Sequence, residues 1–219
     1  MQNIGAGGLQ DLICAMVEGA GSNQEEAEQV SANLVKANLM GHDSHGVHLV
    51  PRYLENVRNN VLQPNAHVTV ESDLGPILQL HGNMGYGQII GAEAMELGVS
   101  RASEMGVAIV ALRYSHHLGR IGAWGELCAK AGLVSIHYVN VVGHIPLVSP
   151  FGGAEARYST NPYCTAIPAP PGGDPIVLDM ATSKIAMGKV AVAHNKGVEV
   201  PEGSLINPNG ASTRDPGVM

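Results

Sequence analysis

The chain has 219 residues, of which 45% are hydrophobic and 14% are charged, and its formal net charge is −7. Its 12 Lys and Arg residues form no cluster, which argues against a nucleic-acid partner and against an anionic membrane surface. The cysteines Cys14, Cys128 and Cys164 are widely spaced and form no Cys-x-x-Cys pair, so a reducing, cytoplasmic compartment is expected. No apolar run reaches the length of a membrane span, and no signal-peptide pattern is expected at the N-terminus.

The first 65 residues predict a small helical unit. Apolar residues recur at helical spacing over residues 9–20. A second helix is predicted to start at a capping box formed by Ser22 and Glu25. A third helix is predicted to begin near Gly46, so a short loop separates the second and third helices.

Beyond residue 65, short strands alternate with helices. Strands are predicted at 67–71, 76–81, 107–112, 134–139 and 175–178, and helices at 90–104, 121–131 and 183–194. This alternation predicts a layered α/β domain over residues 66–219.

The densest polar cluster is the run GHDSHGVH at 41–48, in the predicted loop between the second and third helices. Loops held between rigid helices often display catalytic groups, and histidine is the side chain that titrates near neutral pH. Hydride transfer to a ketone needs a group that gives a proton to the carbonyl oxygen, and His45 is of this type. Ser44 is positioned to orient the imidazole or to bind the substrate. The alternative is a turn that caps the third helix and carries surface histidines.

Two further clusters lie next to predicted strand ends. In the run SHHLGRIG at 115–122, Gly119 permits close backbone approach, and Arg120 with the helix-start amides offers a site for phosphate or carboxylate. The alternative is an ordinary strand-to-helix turn. In the run IVLDMATS at 176–183, Asp179 is a candidate to bind an imidazole and fix its tautomer, and the alternative is a helix cap.

Two other patterns are weaker. The run GYGQIIG at 85–91 is similar to a dinucleotide-binding loop, but its third glycine comes one position late, so a tight turn is predicted. His42, His45 and His48 recur every three residues, and a histidine pair stands at 116–117, which leaves a zinc-dependent hydrolase or lyase as an alternative function. Because three-residue steps drift around a helix and no HExxH run is present, no metal site is expected.

Four segments together resemble one family. They are GHDSHG at 41–46, SHHLGRIG at 115–122, the FGG…STNP segment at 151–162 and LDMATS at 178–183. In this order they resemble the malate/L-lactate dehydrogenase family, which is separate from the Rossmann-type lactate and malate enzymes. The sequences of these segments are most similar to those of the hydroxycarboxylate dehydrogenase B type. The resemblance extends over essentially the whole chain.

The resemblance implies an oxidoreductase that moves hydride between NAD or NADP and a small 2-hydroxy or 2-oxo acid. It also implies a homodimer and a non-Rossmann NAD(P)-binding domain with a largely antiparallel sheet, joined to an N-terminal helical unit. By the same resemblance, His45 is the proton donor and acceptor beside the nicotinamide and Asp179 is its partner. Ser44 and His117 then orient the substrate.

The resemblance also implies a set of cofactor-binding residues. They are His45, Gly119, Arg120, Ile121, Ile176, Val177, Leu178, Asp179 and Met180. The substrate's carboxylate also needs a cation, and Arg52, about one turn beyond His48, is the candidate. The alternative role for Arg52 is a solvated charge on the third helix.

Members of this family are longer than the present sequence, which ends at 214–219 inside a segment similar to the family's TTDP loop. We therefore expect the 219-residue product to leave apolar surface bare and to be poorly soluble or inactive by itself. A non-catalytic remnant is accordingly a third functional alternative.

Overall fold

A computed structural model describes residues 4–143, 145–170 and 172–219. Its helices are α1 (Ala6–Gly19), α2 (Gln24–Leu39), α3 (Val50–Arg58), α4 (Gly87–Met105), α5 (Gly122–Lys130) and α6 (Met187–Lys196). Its strands are β1 (Thr69–Leu74), β2 (Ile77–His81), β3 (Ile109–Arg113), β4 (Ser135–Tyr138), β5 (Tyr163–Ile167), β6 (Ile176–Met180), β7 (Leu205–Ile206) and β8 (Ser212–Thr213). The mixture confirms the α/β class.

The strands are divided among small sheets. In the order β1-β2-β3, the first pair is antiparallel and the second is parallel. The order β4-β5-β6 is antiparallel throughout, and β7 pairs with β8 in an antiparallel hairpin. Antiparallel pairing therefore predominates, but the described strands form several sheets rather than one.

The N-terminal helices share a core with the start of α4. Val17 of α1 packs with Val30 and Leu34 of α2, and all three are fully buried. The same cluster includes Tyr86 and Ile89, which lie in and beside the first turn of α4. The hydrophobic effect thus holds the α4 N-terminus against the helical unit, so this core extends beyond residue 65.

The capping-box prediction for α2 is wrong by one residue. Asn23 is the cap, because its side-chain oxygen accepts a hydrogen bond from the backbone N–H of Glu26 at 2.9 Å. The hydroxyl of Ser22 instead donates to the buried carboxylate of Glu26 at 2.6 Å. The third helix also begins later than predicted, at Val50, because two 3₁₀ turns precede it.

The β4-β5-β6 sheet is covered by α5 on one face. Gly125 of α5 permits this contact, since a Cβ there would lie 2.9 Å from Cβ of Ala166 and 3.1 Å from Sγ of Cys164. The opposite face exposes apolar side chains of β4, β5 and β6, namely Ile136, Tyr138, Ile167, Ile176, Leu178 and Met180. Within the described ranges, no helix has the length and apolar character needed to cross a membrane.

Candidate active site

The loop that carries His45 is held by Asn38, in the last turn of α2. The side-chain oxygen of Asn38 accepts from the backbone N–H of Val47 at 2.9 Å, and its nitrogen donates to the Asp43 carboxylate at 2.6 Å. Gly46 makes room for this contact, because a Cβ at Gly46 would lie within 2.5 Å of Cγ of Asn38. The glycine of the SHG sequence is therefore needed to fix the loop.

Four side chains form a connected polar chain behind this loop. The imidazoles of His45 and His117 are stacked with an interplanar angle of 10°, and Nδ1 of His45 lies 3.3 Å from Nε2 of His117. The hydroxyl of Tyr53, on α3, lies 2.6 Å from Nδ1 of His117. Nε2 of Gln88, on α4, donates to the same hydroxyl at 3.1 Å. The fold thus brings together two helices, the SHG loop and the segment after β3.

A third histidine, His116, lies beside this polar chain. The side-chain nitrogen of Asn56 donates to Nε2 of His116 at 2.8 Å, so Nε2 is the accepting atom of that imidazole. Nδ1 of His116 is buried and has no hydrogen-bond partner among the described residues. The ring packs edge-on against Tyr53, with 5.3 Å between the ring centroids. His116 therefore supports Tyr53 from the side.

Burial keeps the histidines of this site uncharged. Burial, reinforced by the neighbouring imidazoles and by Arg52, lowers the pKa of His117 to about 3. Burial and Arg52 lower the pKa of His116 to about 4. The pKa of His45 is also lowered by burial, while the charge of Asp179 opposes that shift. Arg52 itself is exposed on α3, close enough to act electrostatically on both of these partly buried histidines.

This burial predicts a pH-dependent stability. The folded pKa values of His116 and His117 lie below the ordinary value of 6.5, so between pH 6.5 and about 4 the unfolded chain binds more protons than the folded chain. The free energy of unfolding is therefore full above pH 6.5 and falls as the pH is lowered, by up to about 1.4 kcal/mol per pH unit for each imidazole. Urea unfolding at several pH values measures this slope.

A His117→Phe variant provides the comparison for this slope. It removes one of the two imidazoles, so the change in the free energy of unfolding with pH should lose the contribution of one titrating group. An unchanged slope would contradict the assignment. The charged and titratable groups that act on His117 are His45, His48, His116 and Arg52.

The groups that sequence analysis assigned to an anion near Arg120 are already paired within the chain. The carboxylate of Asp179 accepts from the backbone N–H of Gly122 at 2.7 Å, at the first turn of α5. Arg120 is buried and donates to Glu126 at 2.7 Å, and Lys36 donates to the same carboxylate at 3.0 Å. Arg120 and the backbone N–H of Gly122 are therefore already paired with internal carboxylates, and a phosphate or carboxylate at this loop would have to compete with them.

Ser44 lies at a contact between the SHG loop and α6. A Cβ on Gly188 would lie 2.6 Å from Cβ of Ser44, so the absence of a side chain at Gly188 allows the two segments to meet. A cleft of about 130 Å³ opens beside this contact, and Asp43 and Lys189 are among its lining residues. Ser44, the residue before His45 in the sequence, therefore borders open space.

Sequence analysis missed Tyr53, Gln88 and Asn56 as site residues. Gln88 lies in the run 85–91, for which a tight turn is predicted; that prediction is wrong for residues 87–91, because α4 already begins at Gly87. The available signal was a polar residue beside Ile89 and Ile90 on an apolar helix face, where a buried amide needs a specific partner.

Among the residues that the structure describes, no group of three or more His, Cys, Asp and Glu side chains is arranged to hold a metal ion. Among the described residues, His45 lies within hydrogen-bond distance of His117, and His117 also lies within hydrogen-bond distance of Tyr53. The zinc-dependent alternative therefore gains no support from these parts of the chain.

The chain is similar to several known enzymes. A family described as malate/L-lactate dehydrogenase matches residues 4–219. Hydroxycarboxylate dehydrogenase B of Escherichia coli strain K12 is 47% identical over 211 residues, which are 96% of this chain and 58% of that protein. L-lactate dehydrogenase of Cupriavidus necator is 40% identical over 193 residues, which are 88% of this chain and 55% of that protein.

The fold is also similar to that of solved structures. Sulfolactate dehydrogenase from Methanocaldococcus jannaschii superposes with a TM-score of 0.86 at 30% identity, covering 97% of this chain and 60% of that one. The present chain thus spans little more than half the length of the two curated enzymes above. Because the family match extends over nearly every residue, the chain belongs to the malate/L-lactate dehydrogenase family.

Proposed function

We propose that the protein is an NAD(P)-dependent oxidoreductase for small 2-hydroxy and 2-oxo acids. The observation that carries this proposal is the position of His45, an uncharged, partly buried imidazole that contacts His117 and lies on a fixed loop next to a cleft. Relatives named as hydroxycarboxylate, lactate and sulfolactate dehydrogenases support the reaction class. One relative is named as an NADP(+)-dependent enzyme, which supports the use of a nicotinamide nucleotide.

His45 is the proposed acid and base. The nicotinamide ring supplies or accepts the hydride when the cofactor is bound. Nδ1 of His45 is directed at His117, which leaves Nε2 to take the hydroxyl proton of a hydroxy acid; in the reverse reaction the protonated imidazole, the imidazolium, gives that proton to the carbonyl oxygen. Asp179 raises the pKa of His45 against the effect of burial and so stabilises the imidazolium that forms when a hydroxy acid is oxidised.

One face of strand β6 is the proposed contact surface for a flat nucleotide. Ile176, Leu178 and Met180 are exposed and alternate with the less exposed Val177 and Asp179. We assign the three exposed residues to apolar contact with the cofactor and Asp179 to the side of His45. The buried residues Gly119, Arg120 and Ile121 shape the adjoining loop rather than offering charge, since Arg120 is paired with Glu126.

The substrate's carboxylate needs a cation near His45. Arg52 is the proposed cation, because its charge already acts on His116 and His117. Ser44 borders the adjoining cleft and is proposed to orient the substrate together with His117. NAD and NADP both remain within the proposal.

The wider organisation is proposed on the same basis. Residues 1–65 form the helical unit that carries the SHG loop, and residues 66–219 contribute to a non-Rossmann NAD(P)-binding α/β domain. Cys14, Cys128 and Cys164 are free thiols, which supports a cytoplasmic location. A homodimer is proposed because apolar side chains outside the face of β6, such as Ile136 and Tyr138 of β4, are also exposed.

A spectrophotometric screen tests this function. Oxidation of NADH and NADPH is followed with pyruvate, oxaloacetate, phenylpyruvate and glyoxylate, before and after treatment with EDTA. We expect turnover with at least one 2-oxo acid, and we expect EDTA to have no effect. Loss of activity on metal removal, with recovery on adding zinc, would support the zinc alternative instead. A protein that binds neither nucleotide would be the non-catalytic remnant.

A further inference from the structure

We propose that Gln88 is a positioning residue whose side-chain amide selects which ring nitrogen of His45 carries the proton, acting through Tyr53 and His117. The catalytic consequence rests on the proposed function of His45. The effect on the tautomers does not, because it follows from hydrogen-bond direction alone.

Gln88 is an unusual core residue. It is completely buried in the first turn of α4, and its backbone carbonyl accepts from Nε2 of Gln29 at 3.0 Å. Its side-chain nitrogen donates to the hydroxyl of Tyr53, while its side-chain oxygen has no hydrogen-bond partner within the described residues. An unsatisfied buried polar atom costs about 1–3 kcal/mol, so stability alone does not account for this amide.

The direction of the hydrogen bonds along this polar chain follows from the number of protons that each group can donate. The hydroxyl oxygen of Tyr53 accepts from Gln88, so its single proton points to Nδ1 of His117 at 2.6 Å. His117 is uncharged because burial lowers its pKa to about 3, and it must then carry its proton on Nε2. That proton faces Nδ1 of His45 at 3.3 Å, so His45 keeps its own proton on Nε2.

A half-turn of the Gln88 amide reverses this order. The turn exchanges nitrogen and oxygen within the same volume, and the oxygen then accepts the proton of Tyr53. His117 donates from Nδ1 to Tyr53, and His45 donates from Nδ1 to His117. Nε2 of His45 is then free to accept a proton.

The two orders differ in what His45 can do. Oxidation of a hydroxy acid requires a lone pair on the ring nitrogen that faces the substrate, as in other histidine bases whose Nδ1–H is held by an acceptor. When the oxygen of Gln88 accepts from Tyr53, Nε2 of His45 has the required lone pair. When the nitrogen of Gln88 donates to Tyr53, Nε2 of His45 is protonated, and this is the resting tautomer. Gln88 thus controls when His45 is ready to act as a base.

The test measures the tautomers directly. Imidazole nitrogens in ¹⁵N-labelled protein are observed by multiple-bond ¹H–¹⁵N NMR at neutral pH, without cofactor or substrate. The parent should show His45 and His117 protonated on Nε2. Gln88→Glu places an accepting carboxylate against Tyr53, so both imidazoles should change to protonation on Nδ1. Parental tautomers in a folded Gln88→Glu variant would overturn the proposal.

A second variant covers the case in which the glutamate does not fold. Gln88→Met keeps most of the volume but neither donates nor accepts, so His45 and His117 should each populate both tautomers. A single parental tautomer in this variant would also overturn the proposal. Tyr86→Phe is the matched control, because it removes a buried hydroxyl of the same core that has no hydrogen bond to either imidazole.

Kinetics supply a separate readout once turnover is established. Gln88→Met should lower kcat about tenfold and change KM for the nucleotide by less than about twofold, since the base is misdirected while binding is intact. Failure of the dehydrogenase screen would leave the tautomer result standing. Parental tautomers in the variants would reject the role of Gln88 even in an active enzyme.

Discussion

His45→Gln is expected to reduce kcat for reduction of a 2-oxo acid by about 10³-fold, because the substrate oxygen loses its proton donor. Glutamine retains a hydrogen-bonding nitrogen but cannot exchange a proton near neutral pH. Binding of NADH or NADPH should change by less than about twofold, since the imidazole is assigned to chemistry rather than to affinity. Steady-state kinetics and fluorescence titration of the nucleotide measure the two effects separately.

His48→Gln is the matched control for this prediction. His48 lies in the same loop but is exposed, and its charge contributes to lowering the pKa of His45. Its replacement should leave kcat within about threefold of the parent. Equal losses in both variants would show that the loop, and not the imidazole of His45, is what the substitutions disturb. Full activity of His45→Gln would reject the proposed acid and base.

Local sequence patterns predicted the elements that depend on neighbouring residues. Ala27, Val30, Leu34 and Ala37 recur at helical spacing, and all four are buried on one face of α2. The strand before the SHHLGRIG run also follows from a local pattern, because a short apolar run there precedes a turn.

Strand β5 was missed because its signals are not local. Tyr163–Ile167 lies between Pro162 and Pro168, in a stretch that suggests a loop. It is nevertheless the central strand of its sheet, because β4 and β6 pair with it from either side. Pairing with distant segments overrides the local composition. The pattern of apolar residues within a short stretch of sequence cannot indicate such pairing.

The polar chain of the site was missed for a related reason. Tyr53 and Gln88 are separated by 35 positions, and Tyr53 and His117 by 64. Each residue alone is compatible with ordinary packing on its helix. Only the approach of α3, α4 and the segment after β3 turns them into one hydrogen-bonded system, so the sequence identified both histidines but not what connects them.

Gly87→Ala is expected to lower the free energy of unfolding by about 2–3 kcal/mol. A Cβ at Gly87 would lie 2.6 Å from Cα of Leu118 and would also overlap the backbone carbonyl of His117. Both are backbone atoms, so no rotation of a side chain relieves the overlap, and the segment that carries His117 must move. Turnover should therefore fall together with stability.

Gly8→Ala provides the matched comparison. Gly8 lies within α1, and a Cβ there would meet nothing within 4 Å. Its replacement should raise the free energy of unfolding by about 0.5–1 kcal/mol, because alanine restricts the unfolded chain and favours the helix. Urea unfolding of the two variants and the parent measures whether the free energy of unfolding falls in Gly87→Ala and rises in Gly8→Ala. Equal stability of Gly87→Ala and Gly8→Ala would mean that the contact between α4 and the His117 segment is looser than described, and the positioning role assigned to Gln88 in the same turn would lose its structural basis.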